Sequence, residues 1–162
     1  MDQLGKNIVT GWLPAVRRVL CEMAGLDITA ANCLPQNDIF SSAGLAVIIG
    51  VTGKAPGRII LDMSEATARK LSAAINGEDD LDDELIMDTV AELGNILSGH
   101  IITWLNNRRA GLGLMLTPPG VFVGKDLKIV TPKLEAQIIV VDTPAGHIVL
   151  SIGFERGIEQ WT

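Results

Sequence analysis

DLDDELIMDTVAELGNILSGHIITWLNN, residues 80–107, decides the fold, because one long helix accounts for both its apolar and its polar residues. At 100° per residue, Ile86, Val90, Leu93, Leu97, Ile101 and Trp104 gather on one side. Asp88, Glu92, Asn95 and Gly99 form a narrow stripe on the other, extended by Glu84 and Asn106. Acidic residues from Glu78 to Glu84 gather at the start of the helix, and Arg108 and Arg109 followed by Gly111 close it, the order its macrodipole favours. The pattern predicts an apolar side buried on a sheet and a row of two carboxylates and one carboxamide facing outward.

Before this segment, Trp12, Leu13, Val16, Val19, Leu20 and Met23 recur with Ile8 at spacings of three and four, which predicts a first helix from Ile8 to Met23 ended by Gly25. Pro14 fits it near the start or at a kink. Ile28 to Phe40 is irregular and predicts at most a short strand. Leu45 to Val51 and Arg58 to Met63 are β-branched and apolar, and the glycines and proline between them read as a hairpin turn. Ser64 is placed to cap a helix carrying Ala68, Leu71, Ala74 and Ile75 that stops at Asn76-Gly77. After the long helix, Leu112 to Leu116, Lys128 to Thr131, Ala136 to Val141 and His147 to Ile152 predict a β meander. The expected architecture is therefore α/β (α+β): two layers, a largely antiparallel sheet of about six strands against the long helix and the N-terminal helix.

Composition narrows the function. The 162 residues, 48% hydrophobic, suit a single domain over 1–162 with one core. A net charge of −6 argues against a surface that neutralises phosphodiester backbones, so nucleic acid is not an expected partner. A mean hydropathy of +0.34 is compatible with a homodimer. Cys21 and Cys33 form neither a zinc pattern nor a disulfide framework, the first twenty residues show no export signal, and the Ala43 to Val51 run is far too short to span a bilayer. A cytoplasmic protein without membrane insertion is expected.

Charges along a surface helix are ordinarily no more than a solvated face. Here Gly94 and Gly99 each cost about 1 kcal/mol relative to alanine in a helix interior, and Asn95 is a poor helix former, so stability alone does not explain the segment. Gly99 lies one turn beyond Asn95 and would let another molecule approach the carboxamide closely. At these residues the chain resembles the CheX, CheC and FliY family of chemotaxis phosphatases. Their signature is an Asp or Ser, three residues, a Glu, two residues and an Asn, here Asp88, Glu92 and Asn95, continuing to Ser98-Gly99. Val19 to Gly25 is similar to the end of the family's first helix, Gly50 to Gly53 with Gly57 to Leu61 to its hairpin, and Pro119 to Gly124 to a turn after its long helix. A single Glu-x-x-Asn favours similarity to CheX over CheC, which carries two, and no flagellar switch domain is expected, which argues against FliY. Asn32 to Phe40 departs from the family pattern.

The resemblance implies a substrate, the aspartyl phosphate of a CheY-like response regulator, and two catalytic residues. Asn95 would orient the attacking water, since a carboxamide carries donor and acceptor and does not titrate. Glu92 would dock on the receiver lysine. Asp88 and Gly99 would belong to the partner-binding surface. No cofactor is expected on this chain, and Mg²⁺ is expected in the receiver partner. His100 and His147 are the histidines; His100 sits well around the helix from the stripe, so no metal site is expected. The acidic residues 78–84 lack the spacing of a calcium loop, Ser64, Ser72 and Ser98 have no histidine placed as a base, and Gly111 to Gly113 is too short for a dinucleotide loop. Two competing expectations stand beside the phosphatase: a non-catalytic receiver-binding or adaptor module of the same fold, and a sheet-mediated structural dimer whose long helix is only surface.

Overall fold

A computed structural model describes residues 3–35 and 39–155. Helix α1 spans Gln3–Ala24 and buries Trp12, Val16, Val19 and Leu20, as the three-and-four spacing predicts. The Ile8 side chain lies outside the described residues, and Pro14 sits inside the helix on its exposed side. Strands β1 (Ala30–Pro35), β2 (Ile39–Ser41), β3 (Leu45–Thr52) and β4 (Gly57–Met63) follow, then α2 (Glu65–Asn76) and α3 (Asp83–Arg108). The chain continues through β5 (Met115–Leu116), β6 (Gly120–Val123), β7 (Lys128–Val130), β8 (Leu134–Thr143) and β9 (Gly146–Glu155).

Seven of these strands form one antiparallel sheet in the order β1-β8-β9-β4-β3, with β5 and β6 both pairing the outer edge of β3. Alternation along the central strands sends one set of side chains to the helices: Val47 and Ile49 from β3, Ile59 and Leu61 from β4, Leu150 and Ile152 from β9. The helical layer thus covers one face of the sheet. Ala46 and Ile60 point the other way, into a second small core with Phe40 that also packs Ile129. Because β3 and β4 are buried on both faces, they read as near-continuous apolar runs rather than as alternating ones.

Three sequence expectations are corrected. Residues 28–40 hold two strands rather than at most one: β1 pairs β8, and β2 pairs β7 in a separate two-stranded ribbon over the back of the sheet. The terminal strands are not a meander, since only β8 and β9 are hairpin neighbours, while β9 inserts beside β4 and β7 leaves the sheet. Pro119 to Gly124, read as a turn, contains β6, whose Val121 faces Val47 of β3.

Two charged groups are buried on the ribbon side of β4. Asp62 accepts the Ser42 hydroxyl at 2.5 Å and the Ala43 amide at 2.8 Å, pinning the turn between the ribbon and β3. Burial raises its pKa above the ordinary 3.8, opposed by those two hydrogen bonds. The Arg58 guanidinium donates to the Thr131 hydroxyl at 2.6 Å and the Ser151 hydroxyl at 3.0 Å, and burial lowers its pKa to about 10. Both groups anchor the back of the sheet, away from the helices.

Candidate functional site on the long helix

Helix α3 starts at Asp82, whose carboxylate accepts the Leu85 amide at 2.8 Å, with Asp83 and Glu84 in the first turn. Its other end carries Arg108, stacked 5.0 Å above the ring of Trp104. Val90, Leu93, Leu97 and Ile101 are fully buried, so hydrophobic burial presses one side of the helix on the core. Polar ties then set its rotation. Trp12 Nε1 donates to the Leu97 carbonyl at 2.9 Å, Asn76 Nδ2 donates to the Thr89 hydroxyl at 3.0 Å, and Asn106 both donates to and accepts from the Leu114 backbone at 3.0 Å. Gly11 lies against the Trp104 ring with no room for a Cβ, which lets α1 and α3 approach closely.

So held, the helix presents Asp88 and Glu92 exposed to solvent and Asn95 and Gly99 half-buried beside them. The structure therefore brings together all four residues singled out from the sequence. None of the Asp88, Glu92 and Asn95 side chains has a hydrogen-bond or ion-pair partner among the described residues, in contrast to the tied carboxamides of Asn76 and Asn106. Glu84 is exposed at the start of the stripe, but Asn106, read as its extension, serves to close the chain onto β5 instead.

The two glycines separate. A Cβ at Gly94 would stand 3.1 Å from Val47 Cγ1, so Gly94 serves helix–sheet packing rather than the stripe. A Cβ at Gly99 would meet nothing within 4 Å, so its missing side chain leaves open surface next to the carboxamide. The stripe is also a ridge rather than a cleft. Two grooves among the described residues, one along α1 lined by Leu13, Pro14 and Arg17, the other between α2, the start of α3 and β6 lined by Ala68, Arg69, Met87 and Val123, leave Asp88, Glu92, Asn95 and Gly99 out.

Other side chains take structural places. Ser64 caps α2 by accepting the Thr67 amide at 3.1 Å, and Gly77 ends that helix with φ of 66°. His147 pairs with Asp142 at 2.5 Å on the β8–β9 hairpin, while His100 is half-buried on α3. Among the described residues no three His, Cys, Asp or Glu side chains are grouped to hold a metal ion, and no helix is long and apolar enough to cross a membrane. Sequence reasoning missed Trp12 as the tie between the helices, since an indole on an apolar stripe signals only burial. It also set Ser98 aside: that side chain is buried and its hydroxyl has no partner.

Comparison with known proteins identifies the family and the fold. A family model described as chemotaxis phosphatase CheX matches residues 45–142, which contain the whole stripe. The chain is 30% identical over 125 residues to the CheY-P phosphatase CheX of Thermotoga maritima, covering 76% of this chain and 79% of that protein. It is similar to CheX in the crystal structure of the CheX-CheY-BeF3-Mg²⁺ complex from Borrelia burgdorferi, with a TM-score of 0.76, 29% identity, and coverage of 91% of this chain and 97% of that one. It shares the fold of a CheX from Desulfovibrio desulfuricans, with a TM-score of 0.80 at 24% identity over 92% of this chain and 99% of that one.

Proposed function

The chain belongs to the CheX family of chemotaxis phosphatases, and from that membership we propose that it hydrolyses the aspartyl phosphate of a CheY-like response regulator. The observation that carries this reading is the ridge: two exposed carboxylates and a half-buried carboxamide on one helix, without partners among the described residues, with open surface at Gly99. Folding gains nothing from leaving these groups without partners, whereas a receiver with its phosphorylated aspartate in a shallow pocket can accept them. The relatives point the same way, one being named a CheY-P phosphatase and another crystallised with CheY, BeF3 and Mg²⁺.

In this mechanism the receiver supplies Mg²⁺ and a lysine, and this chain supplies position. Asn95 accepts a hydrogen bond from a water and holds it in line with the phosphorus; the water oxygen bonds to phosphorus as the bond to the aspartyl oxygen breaks, releasing inorganic phosphate and the free carboxylate. A carboxamide suits this role because it orients the water without becoming a base or an adduct. Glu92, one turn earlier, pairs with the receiver lysine and sets the docking register. Asp88 extends the acidic edge, and Gly99 lets the receiver reach Asn95. The reaction places the protein in the cytoplasm with its receiver.

The same reading includes a homodimer. The β1 edge is free of a further strand among the described residues, and Leu34 on it is 52% exposed. Sedimentation equilibrium of the full chain tests this, a monomer at micromolar concentration counting against it.

The deciding experiment follows acyl-phosphate decay on CheY-like receivers from the same cell with wild type and Asn95→Ala. Faster decay with wild type, together with binding but no acceleration by Asn95→Ala, supports the water-positioning role. Binding without acceleration by wild type leaves a receiver-binding adaptor.

A further inference from the structure

Ser98 is 1% exposed on α3, and its hydroxyl has no hydrogen-bond partner among the described residues. A buried, unpaired hydroxyl destabilises a fold, and serine is a weaker helix former than alanine, so stability argues for alanine at this position. The usual escape for a helical serine is a hydrogen bond to the carbonyl four residues back, here Gly94, and that bond is not made. Helical side chains lean toward the N-terminus, which sets the Ser98 hydroxyl over the turn containing Gly94 and Asn95. Three residues back lies the Asn95 carboxamide, also without a partner, at a spacing where helical side chains are neighbours.

Resting on the phosphatase reading above, the geometry points to Ser98 as a positioning residue for Asn95. When the receiver covers the ridge and strips its water, the Ser98 hydroxyl turns to donate to the Gly94 carbonyl and accepts one hydrogen from Asn95 Nδ2. A carboxamide has two orientations that differ only in exchanging oxygen and nitrogen. Holding Nδ2 inward leaves Oδ1 outward, where it accepts from the attacking water. Both groups that are unpaired in the free protein are then satisfied, and the reacting arrangement is assembled only on the docked partner.

The test compares Ser98→Ala, Asn95→Ala and the double variant by decay of the phosphorylated receiver at varied receiver concentration, with thermal melts of each. Ser98→Ala is expected to melt no lower than wild type and to keep its KM, while kcat falls about tenfold, the equivalent of one ordinary hydrogen bond. The double variant is expected to be no slower than Asn95→Ala alone, because Ser98 acts through Asn95. Ser72 on α2 is a control, as its hydroxyl is also buried and unpaired. Ser72→Ala should raise the melting temperature and leave the rate alone. A wild-type kcat for Ser98→Ala, or losses that add in the double variant, would overturn the assignment while leaving Asn95 in its role. If Asn95→Ala itself keeps the wild-type rate, the phosphatase reading beneath it is what fails.

Discussion

The indole of Trp12 reaches the carbonyl oxygen of Leu97 at 2.9 Å, a buried hydrogen bond between helices 85 positions apart in the chain. It ties the α3 backbone to α1 two residues beyond Asn95 and helps set the rotation of the helix that carries the ridge. Trp12→Phe keeps most of the packing and removes the donor. It should cost about 1 kcal/mol, read as a melting temperature lowered by about 2–4 °C. An unchanged melting temperature would mean that packing alone holds the two helices.

Glu92 and Asp88 should separate in kinetics. Glu92→Gln keeps the shape and loses the charge proposed to pair with a receiver lysine, so KM for the phosphorylated receiver should rise about tenfold, and less so at high salt, where surface pairing is screened. Asp88→Asn, at the edge of the ridge, should shift KM by less than about threefold. Initial rates at two ionic strengths decide the matter; equal effects from both would place the docking contact elsewhere on α3.

The glycines of α3 should respond in opposite ways. Gly94→Val forces a branched side chain against Val47 and should destabilise the fold by about 2 kcal/mol, seen in urea titration. Gly99→Leu enters open space and improves helix propensity by up to about 1 kcal/mol, so the protein should be at least as stable, yet it should act slowly because the receiver can no longer close on Asn95. A fully active Gly99→Leu would show that no partner approaches there.

Asp62 predicts a pH dependence of stability of known sign. Burial raises its folded-state pKa above 3.8, so between 3.8 and the raised value the folded chain holds more protons than the unfolded one. Its contribution to stability is fully present below about 3.8 and is lost as pH rises through the folded pKa. The stability of wild type relative to Asp62→Asn should therefore fall on going from pH 3 to pH 7. Urea titrations across that range check it, and a difference that is flat or rises with pH contradicts it.

Much of this was legible in one dimension. The 3.6-residue repeat and the caps located α1, α2 and α3, because a helix satisfies its own backbone and shows its faces in its own sequence. Turn chemistry between Thr52 and Gly57 located the β3–β4 hairpin for the same local reason. β1 was not legible, since Ala30 to Leu34 is polar, small or exposed and becomes a strand only because β8 offers it hydrogen-bond partners. β6 was mistaken for a turn on the strength of Pro119 and Gly120, although its backbone is paired by β3.

The sequence by itself determined one face: the spacing of Asp88, Glu92, Asn95 and Gly99 places them together on any helix they form, whatever that helix packs against. Tertiary structure decided what each neighbour of that face is for. Gly94 and Gly99 are the same residue in the same helix, and only the nearness of Val47 makes one a packing contact and the other an opening. Asn95 and Asn106 share a stripe, yet the Leu114 backbone ties one and nothing in the described chain ties the other. Angular position along a helix is a local property, whereas the presence or absence of a partner depends on chain segments far away in sequence.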